Sequence, residues 1–187
     1  MDTRTADACI GVVLAGGRSR RMGRDKALLE WRGKTFMDHA IARFHDAGIA
    51  SVVVSGVRPG HAGIADVRLD TGPLAGLLAV AEAHPGAWLV VVPVDMPLLP
   101  ATWLSRLAEQ RAAAPALHYP GAPLPLAFVA DPATIASLRA RLLDPAAPRS
   151  LHAWLAHIGA STPSPPPGPA DALHNLNTPA DWEALHP

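Results

Sequence analysis

Three stretches of this chain are apolar with almost no alternation: Ile10-Gly11-Val12-Val13-Leu14, Ser51-Val52-Val53-Val54-Ser55 and Leu89-Val90-Val91-Val92-Pro93-Val94. A strand with one wet face alternates apolar and polar residues. Continuous runs of this kind belong to strands covered on both faces, the usual situation in parallel sheets. Between them lie segments with apolar residues at helical spacing. Thr35 to Phe44 is one, with Gly48 as its C-terminal stop, and Leu74 to Ala83 is another. The alternation predicts βαβ units and an α/β fold built on a mostly parallel sheet. Pro93 is the one awkward residue, because it removes a ladder donor from the last of these strands.

The remaining elements are fainter. Residues 65–70 read as a short third strand and 126–129 as a further one. Helices are expected near 101–113, 132–143 and 149–157. The stretch Thr162-Pro163-Ser164-Pro165-Pro166-Pro167-Gly168-Pro169 cannot be regular structure and reads as a loop. A last helix starts with Thr178 as N-cap and Pro179 at its first position. A length of 187 residues suits a single domain spanning 1–187 with a core that needs no disulfide.

Against this frame one loop stands out chemically. Leu14-Ala15-Gly16-Gly17-Arg18-Ser19-Arg20-Arg21-Met22-Gly23-Arg24-Asp25-Lys26 follows the first strand, and five of its nine residues from 18 to 26 are basic. The chain as a whole carries 16 Lys+Arg and 16 Asp+Glu, so the cluster is local rather than part of a basic surface. That neutral total argues against a nucleic-acid or membrane surface. Glycines let the backbone turn tightly and approach a ligand. Exposed N–H groups and cationic side chains at the carboxyl edge of a sheet form a polyphosphate cradle. The competing reading is a solvated basic turn. Two commoner phosphate motifs do not fit. The glycines at 16, 17 and 23 break the G-x-G-x-x-G spacing, and Gly33-Lys34-Thr35 lacks the first Walker A glycine because position 28 is Leu28.

Three further segments accompany the loop. Asp95, in Asp95-Met96-Pro97-Leu98-Leu99, ends the most apolar strand and is placed to hold Mg²⁺ through oxygen, or else to cap its own loop. Asp70-Thr71-Gly72-Pro73-Leu74-Ala75-Gly76 is either a turn that admits a base or ribose, or a simple tight turn. Asn175 and Asn177, at alternate positions before Thr178, either project to one face or bond their own backbone. The nine histidines form no ligand set, and His152 and His157 are five apart, off a shared helix face. The single cysteine, Cys9, reads as a small core residue. The N-terminus lacks a signal-peptide pattern and no apolar run approaches a membrane span, so a soluble, cytoplasmic protein is expected.

Taken together, LAGGRSRRMGRDK, an Asp before GPLAG, VDMPLLP and NLNTPAD resemble, in this order, the molybdenum cofactor guanylyltransferases, the MobA family. Cytidylyl relatives tend to read LAAG where this chain has Leu14-Ala15-Gly16-Gly17. They also tend to place Asp where Asn175 and Asn177 stand. The resemblance implies a Rossmann-like three-layer sandwich that transfers GMP from GTP to molybdopterin with Mg²⁺. It implies nucleotide contacts at Leu14, Ala15, Gly16, Gly17, Arg18, Lys26, Ser55, Asp70, Gly72 and Asp95. Lys26, Arg21 and Asp95 take the catalytic roles, Asp95 the metal, and Asn175 and Asn177 the acceptor side. On this reading residues 8–100 bind the nucleotide and 101–187 mainly the acceptor, with molybdoenzymes or their chaperones as further partners. The chain departs from the family's pattern at Ser55, where Asn is usual, and in a short link from Asp70 to Gly72. It departs again at Leu124-Pro125 and Asp144-Pro145, where a His-Pro pair and a Gly-x-Arg turn are expected.

Overall fold

The computed structural model describes residues 8–15, 25–57, 60–61, 63–65, 72–111 and 113–185. Its elements run β1 (Cys9–Leu14), a 3-10 turn (Lys26–Leu28), β2 (Glu30–Trp31), β3 (Lys34–Thr35), α1 (Phe36–Asp46), β4 (Ser51–Ser55) and β5 (Gly63–Ile64). They continue with α2 (Pro73–Ala83), β6 (Trp88–Pro93), α3 (Ala101–Glu109), β7 (Ala116–His118), β8 (Leu126–Val129), α4 (Pro132–Leu143), α5 (Leu151–His157) and α6 (Pro179–Ala184). The main sheet has the order β5-β4-β1-β6-β8-β7. Strands β5, β4, β1 and β6 are parallel to one another. β8 runs antiparallel to both β6 and β7.

Both faces of the sheet are covered, which is why its strands read as unbroken apolar runs. Ile10, Val12, Leu89, Val91, Leu126 and Phe128 point toward α2, α4 and α5. Val13, Val90, Val92 and Ala127 point the other way, onto Phe44 of α1 and Trp103, Leu104 and Leu107 of α3. Successive side chains alternate between two dry layers instead of between core and water. Gly11 is required by the close approach of α1, since a Cβ there would lie 2.7 Å from the Phe44 ring. The expected α/β three-layer architecture, mostly parallel, is what the chain adopts.

The helix expected from Thr35 begins one residue later. Thr35 is its N-cap, in a capping box with Asp38. Gly48 follows the C-cap Ala47 at φ 79°, as a helix stop requires. Thr178 caps α6 through a second capping box with Asp181, and residues 162–169 carry no helix or strand. Ser150 caps α5, so that helix starts at Leu151 rather than at 149. The helix expected to reach 113 ends at Glu109.

A short strand, β5, stands at Gly63–Ile64; of the strand expected at 65–70, Ala65 lies past the end of β5 and residues 66–70 lie outside the described residues. Gly33-Lys34-Thr35 belongs to a β2–β3 hairpin whose two turn residues, Arg32 and Gly33, have φ of 50° and 77°. Positive φ at both central residues is the twist-matched two-residue turn.

Candidate functional site

Parallel register brings three strand ends into one row: Leu14 of β1 pairs with Ser55 of β4 on one side and with Pro93 of β6 on the other. Pro93 therefore occupies the last rung, where a missing donor costs least. From β1 the chain leaves toward β4 and later returns through α2 to β6, so β1 marks the reversal of strand order. The crevice outside the carboxyl ends of such strands is where open α/β sheets bind ligands.

Lys26 is presented at this edge by the 3-10 turn. The Asp25 side chain accepts from Ala27 N at 3.1 Å to cap it, and buried Ala27 pins it to the core. Phe36 N donates to Leu29 O at 2.9 Å, tying the turn to the start of α1. Asp95 lies two residues beyond β6. The segment after it is held from α1: the Arg43 guanidinium donates to Met96 O at 3.2 Å and also to Pro97 O. Burial pulls the Arg43 pKa below its usual value, while Asp46 pushes it back up.

The C-terminal segment closes over both residues. Leu176 is buried with Trp31 and Phe36, Phe36 stacks tilted on Trp182 with centroids 5.4 Å apart, and Trp31 Nε1 donates to Leu185 O at 3.4 Å. Leu176 N donates to Asp95 O at 2.9 Å. The result is a junction of three chain regions on one ammonium group. Lys26 Nζ donates to Asp95 Oδ2 at 3.1 Å, to Leu176 O at 2.6 Å and to Asn177 Oδ1 at 2.8 Å. The Lys26 and Asp95 side chains are 14% and 19% exposed, so the pair is shielded but reachable from solvent.

Asp181 holds the segment's shape. Its Oδ2 accepts from Asn177 N and Thr178 N, both at 2.8 Å. With two backbone donors on it, joined by the Thr178 hydroxyl and His174, its carboxyl is pulled down to about 2.

Not every expected residue meets at this junction. Lys26, Asp95 and Asn177 do. Asn175 does not bond to Lys26. Its Oδ1 is buried without a partner among the described residues, and its main-chain O accepts from Asn177 Nδ2 at 3.4 Å. The two readings of this Asn pair each describe part of what is found: one side chain faces the site, and one contact returns to local backbone. Leu14, Ala15 and Ser55 line the strand edge, with Ser55 buried and Ala15 N donating to Ser55 O at 3.3 Å. Gly72 is the N-cap of α2 at φ 79°, a conformation that favours glycine, with Pro73 as the first helical residue. Because α2 leads from β5 back to the start of β6, its N-terminus lies at the same edge. Gly16, Gly17, Arg18, Arg21 and Asp70 lie outside the described residues.

Two contributors are invisible to motif reading. The Leu176 carbonyl carries no residue-type signal at all. Arg43 does carry one: it sits on the same stripe of α1 as buried Phe36, Ala40 and Phe44, a place where an unpartnered cation would be costly. Among the described residues no group of three or more His, Cys, Asp or Glu could hold a metal ion, and no helix is long and apolar enough to cross a membrane.

The arrangement is thus a cation, a carboxylate and amide and carbonyl oxygens at the carboxyl edge of a mostly parallel sheet. Residues 11–160 match the MobA-like NTP transferase domain. A protein of Xanthomonas euvesicatoria pv. vesicatoria named molybdenum cofactor guanylyltransferase is 42% identical over 180 residues, covering 94% of this chain and 93% of its own. A protein of Opitutus terrae, named probable molybdenum cofactor guanylyltransferase, is 40% identical over 112 residues, which is 54% of this chain and 55% of its own. In fold, the molybdopterin-guanine dinucleotide biosynthesis protein A of Archaeoglobus fulgidus superposes with a TM-score of 0.74 at 19% identity. That match covers 94% of this chain and 96% of the other. This chain belongs to the MobA-like NTP transferase family, and it is a nucleotidyltransferase.

Proposed function

We propose that this protein transfers GMP from GTP to molybdopterin, forming molybdopterin guanine dinucleotide and releasing pyrophosphate. The observation that carries the reading is the junction of Lys26, Asp95 and Asn177 at the strand edge. It is supported by 42% identity, over nearly the whole chain, to a protein named for that activity.

Both reactants are polyanions, so the first task is to screen their repulsion. Lys26 would place positive charge on the triphosphate and stabilise charge that develops on the departing pyrophosphate, a role shared on this reading by Arg18 and Arg21. Leu14 and Ala15 at the strand edge, and Gly16 and Gly17 on the same reading, are the residues assigned to backbone contact with the nucleotide. Ser55 and Gly72, together with Asp70, are the residues assigned to its base and ribose on this reading. The donor set around Lys26 Nζ is all oxygen, which suits a hard divalent cation, and Asp95 with Asn177 beside it would hold Mg²⁺. Bound there, Mg²⁺ supplies Lewis-acid neutralisation of phosphate oxygens. Asp95 positions that charge, and Arg43 keeps the Asp95 loop in place by holding its carbonyls. The protein does little covalent chemistry. Its contribution is alignment and electrostatics.

The acceptor then approaches with residues 101–187 forming most of its surface and Asn175 and Asn177 at the boundary. A cytoplasmic location and delivery of the product to molybdoenzymes or their chaperones belong to the same reading.

The test is pyrophosphate release with Mg²⁺, offering GTP, CTP or ATP with and without molybdopterin. Release that requires GTP and molybdopterin together is the expected result. Release with CTP in place of GTP would move the chain to a cytidylyl reaction. Nucleotide binding without release under any condition would reduce it to a binding module.

A further inference from the structure

An ammonium group has three N–H donors, and Lys26 has a protein oxygen on each: Leu176 O at 2.6 Å, Asn177 Oδ1 at 2.8 Å and Asp95 Oδ2 at 3.1 Å. A lysine meant for a triphosphate is therefore already fully engaged. The same oxygens, one carboxylate, one amide and one carbonyl, are the ligand types a hard divalent cation takes. The ammonium occupies the centre of that group, so the two cations compete for one place.

The oxygen cluster does not depend on Lys26 to hold its form. Leu176 N bonds to Asp95 O, Asp181 accepts from Asn177 N, and Leu176 is buried against Trp31 and Phe36. Arg43 holds the carbonyls that follow Asp95. The ammonium can leave while these supports remain.

We propose that the Lys26 ammonium is a resident placeholder cation that keeps divalent metal off Asp95 and Asn177 until a nucleoside triphosphate draws it away. Metal binding and nucleotide binding are thereby coupled. A triphosphate takes the ammonium onto its own oxygens, the cluster is uncovered, and the divalent ion enters between protein and phosphate oxygens. By linkage, the metal tightens the nucleotide by the same factor as the nucleotide tightens the metal. The proposal rests on the reading of Lys26 and Asp95 as nucleotide and cation ligands, and does not depend on which acceptor is used.

The test is Mn²⁺ binding to the full chain, followed by electron paramagnetic resonance and by calorimetry, without acceptor and without turnover. Lys26→Met should bind free Mn²⁺ at least tenfold more tightly than the wild type. Lys26→Met combined with Asp95→Asn should lose that gain. In the wild type, a non-hydrolysable GTP analogue should tighten Mn²⁺ binding beyond what the analogue alone provides, and Lys26→Met should reduce this coupling. Equal Mn²⁺ affinity in wild type and in a cooperatively folded Lys26→Met protein would overturn the proposal. If Lys26→Met does not fold, the wild-type coupling decides, and purely additive binding of metal and analogue overturns it. Failure of the analogue to bind at all is a different result, and counts against the nucleotide reading itself.

Discussion

The parallel part of the sheet and its antiparallel margin do different work with the same kind of core. In β4, β1 and β6 the carboxyl ends lie level, and the chain that leaves them carries polar side chains to one edge: Ser55 closes β4, Lys26 follows β1 and Asp95 follows β6. In β8 the chain reverses against both β6 and β7, and the dominant features of this margin are apolar contacts. Phe128 meets Trp154 edge-on with centroids 5.4 Å apart, and both are fully buried. Strands that end together concentrate loops, helix N-termini and charge in one place. A reversed strand puts a start where its neighbours end, and here it contributes packing. Stability and chemistry are therefore separable by position, and substitutions in each part should break one and spare the other.

The largest expected effect lies in the margin. Trp154→Ala should cost about 3–5 kcal/mol of stability by emptying a fully buried site. Denaturant titration measures that loss, while nucleotide affinity per folded molecule should stay normal. A loss of affinity at unchanged stability would mean the two parts are not separate.

Lys26→Ala should show the converse. Turnover should fall about 10²–10³-fold, the scale of losing one oriented donor to developing charge. The melting temperature should fall by only about 2–4 °C, the shift that 1 kcal/mol produces in a domain of this size. A turnover close to normal in steady-state assays would remove Lys26 from the mechanism.

Gly11→Ala probes the parallel part at a point far from its chemical edge. The added Cβ would stand 2.7 Å from the Phe44 ring, and overpacking of this kind costs about 1–3 kcal/mol. Adding Phe44→Leu should recover part of the loss in thermal unfolding. No recovery would mean the strain lies in the strand and not against α1.

The smallest effect concerns the C-terminal segment that spans the comparison. Asp181, drawn down to about 2 by the backbone donors of Asn177 and Thr178 and by its other partners, contributes stability that is fully present above about pH 4, the ordinary Asp value. That contribution is lost as pH falls through about 2. Asp181→Asn should lower stability near neutrality and flatten the acid limb of unfolding in this window, because the variant lacks at every pH the contribution that the wild type loses in acid. An identical acid limb in both proteins would show that other carboxylates control it.

Legibility tracked length and period. β1, β4 and β6 are five or six residues each, long enough for unbroken apolar runs to identify them, and α4 was readable to the residue from Pro132 to Leu143. β7 has three residues between Pro115 and Pro120, and β2 and β3 have two each. Such strands are too short to show a period, and only their partners define them. At the site, Lys26, Asp95 and Asn177 were marked by residue type beside strand and helix signals. Arg43 is marked only by its place on the buried stripe of α1, which its residue type alone does not show, and the Leu176 carbonyl is a backbone atom that any residue would offer.

What the sequence by itself determined is therefore local: a basic glycine loop after a buried strand, an aspartate after another, and capped helices between them. These follow from steric and hydrogen-bonding preferences that act over a few residues. Only the tertiary structure decided that Lys26 meets Leu176 and Asn177, 150 and 151 positions away, and that together with Asp95 they fill all three of its donors. That outcome depends on burying Trp31, Phe36 and Leu176 in one cluster, a contact between distant side chains that no local pattern encodes.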